Sequence, residues 1–154
     1  MPLVRIDLRA GHSPAVRQAV GDAVHRAMVE TIGVPADDRF QVITEHPPEG
    51  LVYDPHYLGI GRSDGVVFIQ ITLNAGRTVE QKRALYARIA DLMNERAEVR
   101  RADVLVSLVE VPRENWSFGD GIASTRARPT APPPGRPARR RSPRAPARPP
   151  SPGP

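Results

Sequence analysis

Leu8-Arg9-Ala10-Gly11-His12-Ser13 returns 65 residues later as Leu73-Asn74-Ala75-Gly76-Arg77-Thr78, and the same offset aligns the chain on either side without a gap. Val34 falls on Val99, Asp38 on Asp103, Glu45 on Glu110 and Pro47 on Pro112, while Ile6, Val24, Met28 and Ile43 meet Ile71, Ile89, Met93 and Leu108. Chance identities do not keep an apolar register through a strand, a helix and a second strand. The sequence therefore carries a duplicated supersecondary unit.

Each copy reads as βαβ. Val4, Ile6 and Leu8 alternate with Arg5 and Asp7 at the two-residue period of a strand. Ser13 is an N-cap type and Pro14 suits the first helical position; Val16, Val20, Ala23, Val24, Ala27, Met28 and Thr31 then trace one helical face up to Gly33. Val34-Pro35-Ala36-Asp37-Asp38-Arg39 forms the return turn, and Phe40 to Glu45 the second strand. In the second copy Val66 to Leu73 is the strand, and Thr78 with Gln81 forms a capping box. That box opens a helix buried through Leu85, Ile89, Leu92 and Met93, and Val104 to Val111 is the last strand.

The repeats span about residues 2–46 and 66–111. Two such parallel pairs join into one four-stranded mixed sheet with both helices on one face, an α+β fold of α/β layers. The other face is expected to carry Leu3, Val67, Leu105 and Val109 with nothing left in the chain to cover it, which predicts a homo-oligomer.

The net charge of +5 is unevenly spread. From Arg126 onward there are eight arginines, 11 of the 18 prolines and no acid, so residues 1–125 hold 14 basic against 17 acidic side chains. Such a tail has almost no apolar side chain but alanine and cannot bury a core. Residues 1–124 are expected to fold as one domain and residues 125–154 to be a disordered Pro/Arg-rich extension. Arg139-Arg140-Arg141-Ser142-Pro143-Arg144 has the charge to touch nucleic acid or an anionic surface, but no tail aromatic can stack on bases, so a solvated extension is the preferred reading. With no cysteine and no apolar run of membrane length, disulfide and thiol chemistry drop out and a cytoplasmic location is the default.

Of the chemistry-bearing residues, the four histidines (12, 25, 46 and 56) lack metal-ligand spacing, and His25 has no partner visible on the first helix. Gly59-Ile60-Gly61-Arg62-Ser63 lacks the ending and the strand-to-helix context of a phosphate loop. It belongs to the connector between the copies, whose Tyr53 and Tyr57 either fold over a site or simply pack. Pro2 is different in kind. If Met1 is removed, its nitrogen changes from an amide to a secondary amine that can accept and return a proton. It falls on Val67 in the repeat, so the fold itself does not need proline there.

The Met1-Pro2 start, the duplicated unit, the turn Val34 to Gln41, the loop Gly76-Arg77-Thr78-Val79-Glu80-Gln81-Lys82 and the ending Asn115-Trp116-Ser117-Phe118-Gly119 together resemble the tautomerase superfamily. The resemblance is closest to its malonate semialdehyde decarboxylase branch and covers about residues 2–122. It implies a homotrimer with sites near subunit boundaries, working without cofactor or metal on a small carboxylate substrate. Pro2 would be the proton shuttle, Arg77 the anchor for the substrate carboxylate through a planar two-donor fork, and Asp38 the acid that orients water. Trp116 and Phe118 would form an apolar wall favouring the neutral amine.

The implied activity is tautomerisation of a small enol or keto acid. Malonate semialdehyde decarboxylation or hydration is the alternative, and a non-catalytic scaffold with a basic tail the second. The decarboxylase pattern has a further arginine where this chain has Ala75, which weakens the grip on a carboxylate; Arg5, Arg39 and Arg62 are candidates to replace it. Other readings stand beside these roles. An acid recurring at Asp103 suits a turn whatever the chemistry, and Trp116 and Phe118 suit a core or a subunit contact equally well.

Overall fold

The computed structural model describes residues 1–124; the expected tail at 125–154 lies outside them. Strands β1 (Pro2–Arg9), β2 (Gln41–His46), β3 (Val67–Asn74) and β4 (Val104–Val111) form one sheet in the order β2-β1-β3-β4. β1 pairs parallel with β2 and β3 parallel with β4, and the two copies meet antiparallel along β1 and β3 with Pro2 opposite Leu73 and Leu8 opposite Val67. Helices α1 (Pro14–Ile32) and α2 (Val79–Ala97) cover one face.

The local signals explain the elements. Ser13 accepts the Val16 amide with Pro14 in the first turn, Gly33 ends α1 at φ 67°, and both hydrogen bonds of the Thr78–Gln81 capping box are made. α2 ends on Glu98 in the same left-handed conformation, at φ 57°, without glycine's freedom to adopt it. The core is built from Val4, Ile6 and Leu8 of β1, Ile69, Ile71 and Leu73 of β3, and the inner faces of the helices. Across the helix pair, Glu30 accepts from both Arg26 and Arg88, and these guanidiniums hold its carboxyl down to about 2.

Two expectations change. β2 and β3 each run one residue later than expected. Val67 does not lie on the uncovered face: it is 1% exposed in the core, because it shares the inward phase of Ile69 and Ile71. Phe68 is the β3 residue that faces outward, beside Leu105 and across from Asp7. The helix-free face still carries apolar surface, including Val42 and Leu105 at about 40% exposure. Among the described residues no helix is long and apolar enough to cross a membrane.

Candidate active site

At one end of the sheet the strands bring together the start of β1, the turn into β2 and the exits of β3 and β4. Pro2 begins β1 as a buried residue on the helix-facing side, a strand position that does without the N–H it lacks. The preceding chain-terminal ammonium, on Met1, lies 3.4 Å from Asp38 Oδ2. Asp38 comes from the α1–β2 turn, where its amide donates to Pro35 O, and its side chain is only 10% exposed. The other carboxylate oxygen, Oδ1, is buried without a partner. A carboxylate half-satisfied by an amine and half-orphaned is an arrangement a fold does not need for itself.

Arg77 enters from the loop after β3. That loop turns through Gly76 at φ 119°, and Arg77 Nη1 donates to Asn74 O at 2.8 Å. Asn74 directly follows Leu73, the partner of Pro2, so backbone pairing brings the arginine loop to the end of the sheet where Pro2 begins. Glu110 clasps the loop: Lys82 Nζ donates to it at 2.6 Å, and the Lys82 ammonium, with the backbone amides of Arg77 and Gly76, lowers its carboxyl. The sequence gives no direct sign that Lys82 and Glu110 pair. The repeat gives an indirect one, since Arg17 and Glu45 occupy the aligned positions and make the same clasp, Arg17 Nη1 to Glu45 at 2.6 Å with the His12 amide on the same carboxylate.

Trp116 and Phe118 follow β4 and stack with centroids 5.4 Å apart. The Ser124 amide on Trp116 O and a Ser117–Ala123 bridge fold the end of the described chain back onto them. Phe118 is about half exposed, and Trp116 Nε1 is buried without a partner. The pair is a partly exposed stack rather than core.

The other candidates are spent elsewhere. Arg39 is turned to Asp22 at 2.6 Å and to Gln41, Arg62 donates to Tyr57 O and Ile60 O in the connector, and Arg5 stands mid-strand on the helix-free face. None is tied to the place left by Ala75. Tyr53 and Tyr57 line a groove with Phe68 and Leu105, toward the starts of β3 and β4, so they pack at the far end of the sheet rather than over Pro2. Tyr53 donates to Asp64, and that bond, with burial, raises its hydroxyl's titration. Among the described residues no group of three or more His, Asp or Glu is placed to hold a metal ion.

A cavity of about 210 Å³ lies at the opposite end, lined by His12, Ser63, Glu98, Arg100 and Asp103 among others. It is the second copy's equivalent of the Pro2 site, with Asp103 for Asp38 and His12 for Arg77. There the chain runs on through Val66 into Val67, so the nitrogen in Pro2's place is an amide with no basicity.

A sheet made of two βαβ copies, opened by Pro2 directly after Met1 with Asp38 and the Arg77 loop at the same end, defines a class: duplicated-unit proteins of the tautomerase fold. Family models described as tautomerase enzyme match residues 2–60 and 38–119. The chain is 43% identical over 123 residues to the probable tautomerase YusQ of Bacillus subtilis, covering 80% of this chain and 97% of that one. It is 38% identical over 61 residues to the 2-hydroxymuconate tautomerase of Pseudomonas putida, covering 40% of this chain and 90% of the other, a length close to one repeat. Among solved structures, FG41 malonate semialdehyde decarboxylase inhibited by 3-bromopropiolate superposes with a TM-score of 0.74 at 40% identity, covering 78% of this chain and 91% of that one. A fused 4-OT asymmetric trimer superposes at 0.66 with 25% identity, covering 79% and 95%. The chain belongs to the tautomerase family, in the branch that resembles malonate semialdehyde decarboxylase.

Proposed function

We propose that this enzyme is a cofactor-independent tautomerase that interconverts the enol and keto forms of a small carboxylic acid. The observation that carries the reading is the half-buried, half-orphaned Asp38 at the mouth of β1, 3.4 Å from the ammonium of Met1, the residue whose loss frees the Pro2 nitrogen. Removal of Met1 makes Pro2 the terminal residue. Its neutral amine takes the hydroxyl proton of the enol as C–O becomes C=O, and the resulting ammonium returns a proton to carbon as C=C becomes C–H. Arg77 pairs with the substrate carboxylate, Asp38 orients the amine or a water beside it, and Trp116 and Phe118 wall the site on its apolar side.

The identity with malonate semialdehyde decarboxylase favours a second reading, in which the ammonium form of Pro2 polarises a β-carbonyl acid for decarboxylation or hydration with Asp38 assisting. Ala75, which leaves one cation fewer, argues for tautomerisation first. The apolar helix-free face and the trimeric neighbour support a homotrimer; a cytoplasmic location belongs to the same proposal.

Spectrophotometric turnover of phenylenolpyruvate, 2-hydroxymuconate and malonate semialdehyde by the wild type, Pro2→Ala and Arg77→Ala tests both readings. Consumption of the enol acids, lost in both variants, is expected. Consumption of malonate semialdehyde alone moves the assignment to the decarboxylase. Equal rates in all three proteins end the enzyme reading and leave a non-catalytic scaffold.

A further inference from the structure

His25, without a visible partner in the sequence, has one in the fold. Its Nε2 lies 2.9 Å from the carbonyl oxygen of Ala36. A carbonyl only accepts, so the ring donates from Nε2, and Nδ1 is left buried and unpartnered. Ala36 and Asp37 are the central residues of the turn that the Asp38 amide closes on Pro35 O at 3.0 Å. The Ala36 carbonyl takes no part in that closing bond and is open to an outside donor. The imidazole thereby ties the turn to α1, and Asp38 is the turn's last residue.

The second copy holds its acid in another way. Asp103 accepts from both Ser63 N and Ser63 Oγ at 2.6 Å, so its side chain is fixed directly. Ala90 stands in the place of His25, and Arg101, in the place of Ala36, pairs with Asp91 on α2. Asp38 has no such clamp: one oxygen faces the terminal ammonium and the other has no partner. Its placement rests on its turn, and the turn is held to the helix by His25 at Ala36 and, one residue past Asp38, by the Arg39–Asp22 pair.

We infer that His25 is a positioning residue of the active site, holding the Asp38 carboxylate at the N-terminal amine through its bond to Ala36. This rests on the reading of Pro2 and Asp38 given above. Displacing a reacting group by about 1 Å can cost roughly a hundredfold in rate, so partial loosening of the turn by His25→Ala should lower kcat/KM by about tenfold. His25→Gln, whose amide nitrogen reaches the same carbonyl, should stay within about threefold of wild type.

The test is steady-state kinetics with 2-hydroxymuconate on the wild type, H25A, H25Q, D38N and the H25A/D38N double variant, with amide hydrogen exchange at Asp38 followed in parallel. Expected are slower H25A acting through kcat rather than KM, recovery in H25Q, no further loss when H25A is added to D38N, and faster Asp38 exchange in H25A but not H25Q. Should H25A fail to fold, H25N, which keeps the amide but not its reach, takes its place. Unchanged exchange at Asp38, wild-type kinetics in H25A beside a slow D38N, or an equal loss from H25A in the D38N background would each overturn the inference. A D38N protein as fast as wild type would remove Asp38 from the site, and His25 with it. Because exchange needs no substrate, it separates failure of the His25 tie from failure of the enzymatic reading.

Discussion

The two ends of the sheet are copies of one design, and they differ in a single covalent fact. At one end the strand begins at Pro2, directly after the Met1 ammonium; at the other the chain runs on through Val66 into Val67. Around that difference the neighbours have diverged. Asp38 faces an amine with one oxygen unclaimed, whereas Asp103 is locked by Ser63. Arg77 stands where the other copy has His12, although both loops are clasped by the same basic–Glu pair. A buried polar group that is fully satisfied stabilises its surroundings, and one left open is available to a ligand. The duplication thus contains its own control, a structural copy beside the copy we assign to catalysis.

The largest expected contrast is at the strand starts. Pro2→Ala should lower turnover by about a hundredfold or more, the range of a lost proton-transfer group, with little change in melting temperature. Val67→Ala should do the reverse, costing about 2 kcal/mol from the core while the rate stays within about twofold. At the loops, Arg77→Ala should reduce kcat/KM by about 10- to 100-fold, mainly through KM, since a charged hydrogen bond contributes about 1.5–3 kcal/mol. His12→Ala should change kcat/KM by less than about twofold, and an equal loss would erase the asymmetry.

At the turns, Asp103→Ala strands the Ser63 donors and should destabilise by about 2–3 kcal/mol in chemical denaturation without touching kcat. Asp38→Ala should cut turnover and leave stability within about 1 kcal/mol. The smallest contrast is at the helix ends: Glu98→Gly, which gives α2 the C-cap that Gly33 gives α1, should stabilise by about 1 kcal/mol. A loss there would show that the Glu98 side chain contributes more than its backbone strain takes away.

Much of this was legible in the sequence because it is local or periodic. The caps at Ser13 and Thr78, the stop at Gly33 and the inward stripes of both helices depend on neighbours within a turn of helix, and the repeat doubled every such signal. The phase of β3 differs from the expected one at Val67, although the offset itself aligns Val67 with the inward Pro2 and Phe68 with the outward Leu3. What stayed hidden joins distant segments: Ser63 with Asp103, the connector tyrosines with Phe68 and Leu105, and His25 with the carbonyl of Ala36. No periodicity marks such pairs, because each is set by how loops fall across the sheet. The proton chemistry proposed for Pro2 follows from its place after Met1, and the roles proposed for Asp38 and Arg77 from the family resemblance; the structure adds the company they keep.

The central claim is that one copy works because its strand begins with a free secondary amine. Intact-mass and N-terminal sequencing of the protein expressed in a bacterial cytoplasm reads this directly. The account predicts a chain that has lost Met1 and begins at Pro2; active protein that retains Met1 on every molecule would contradict it.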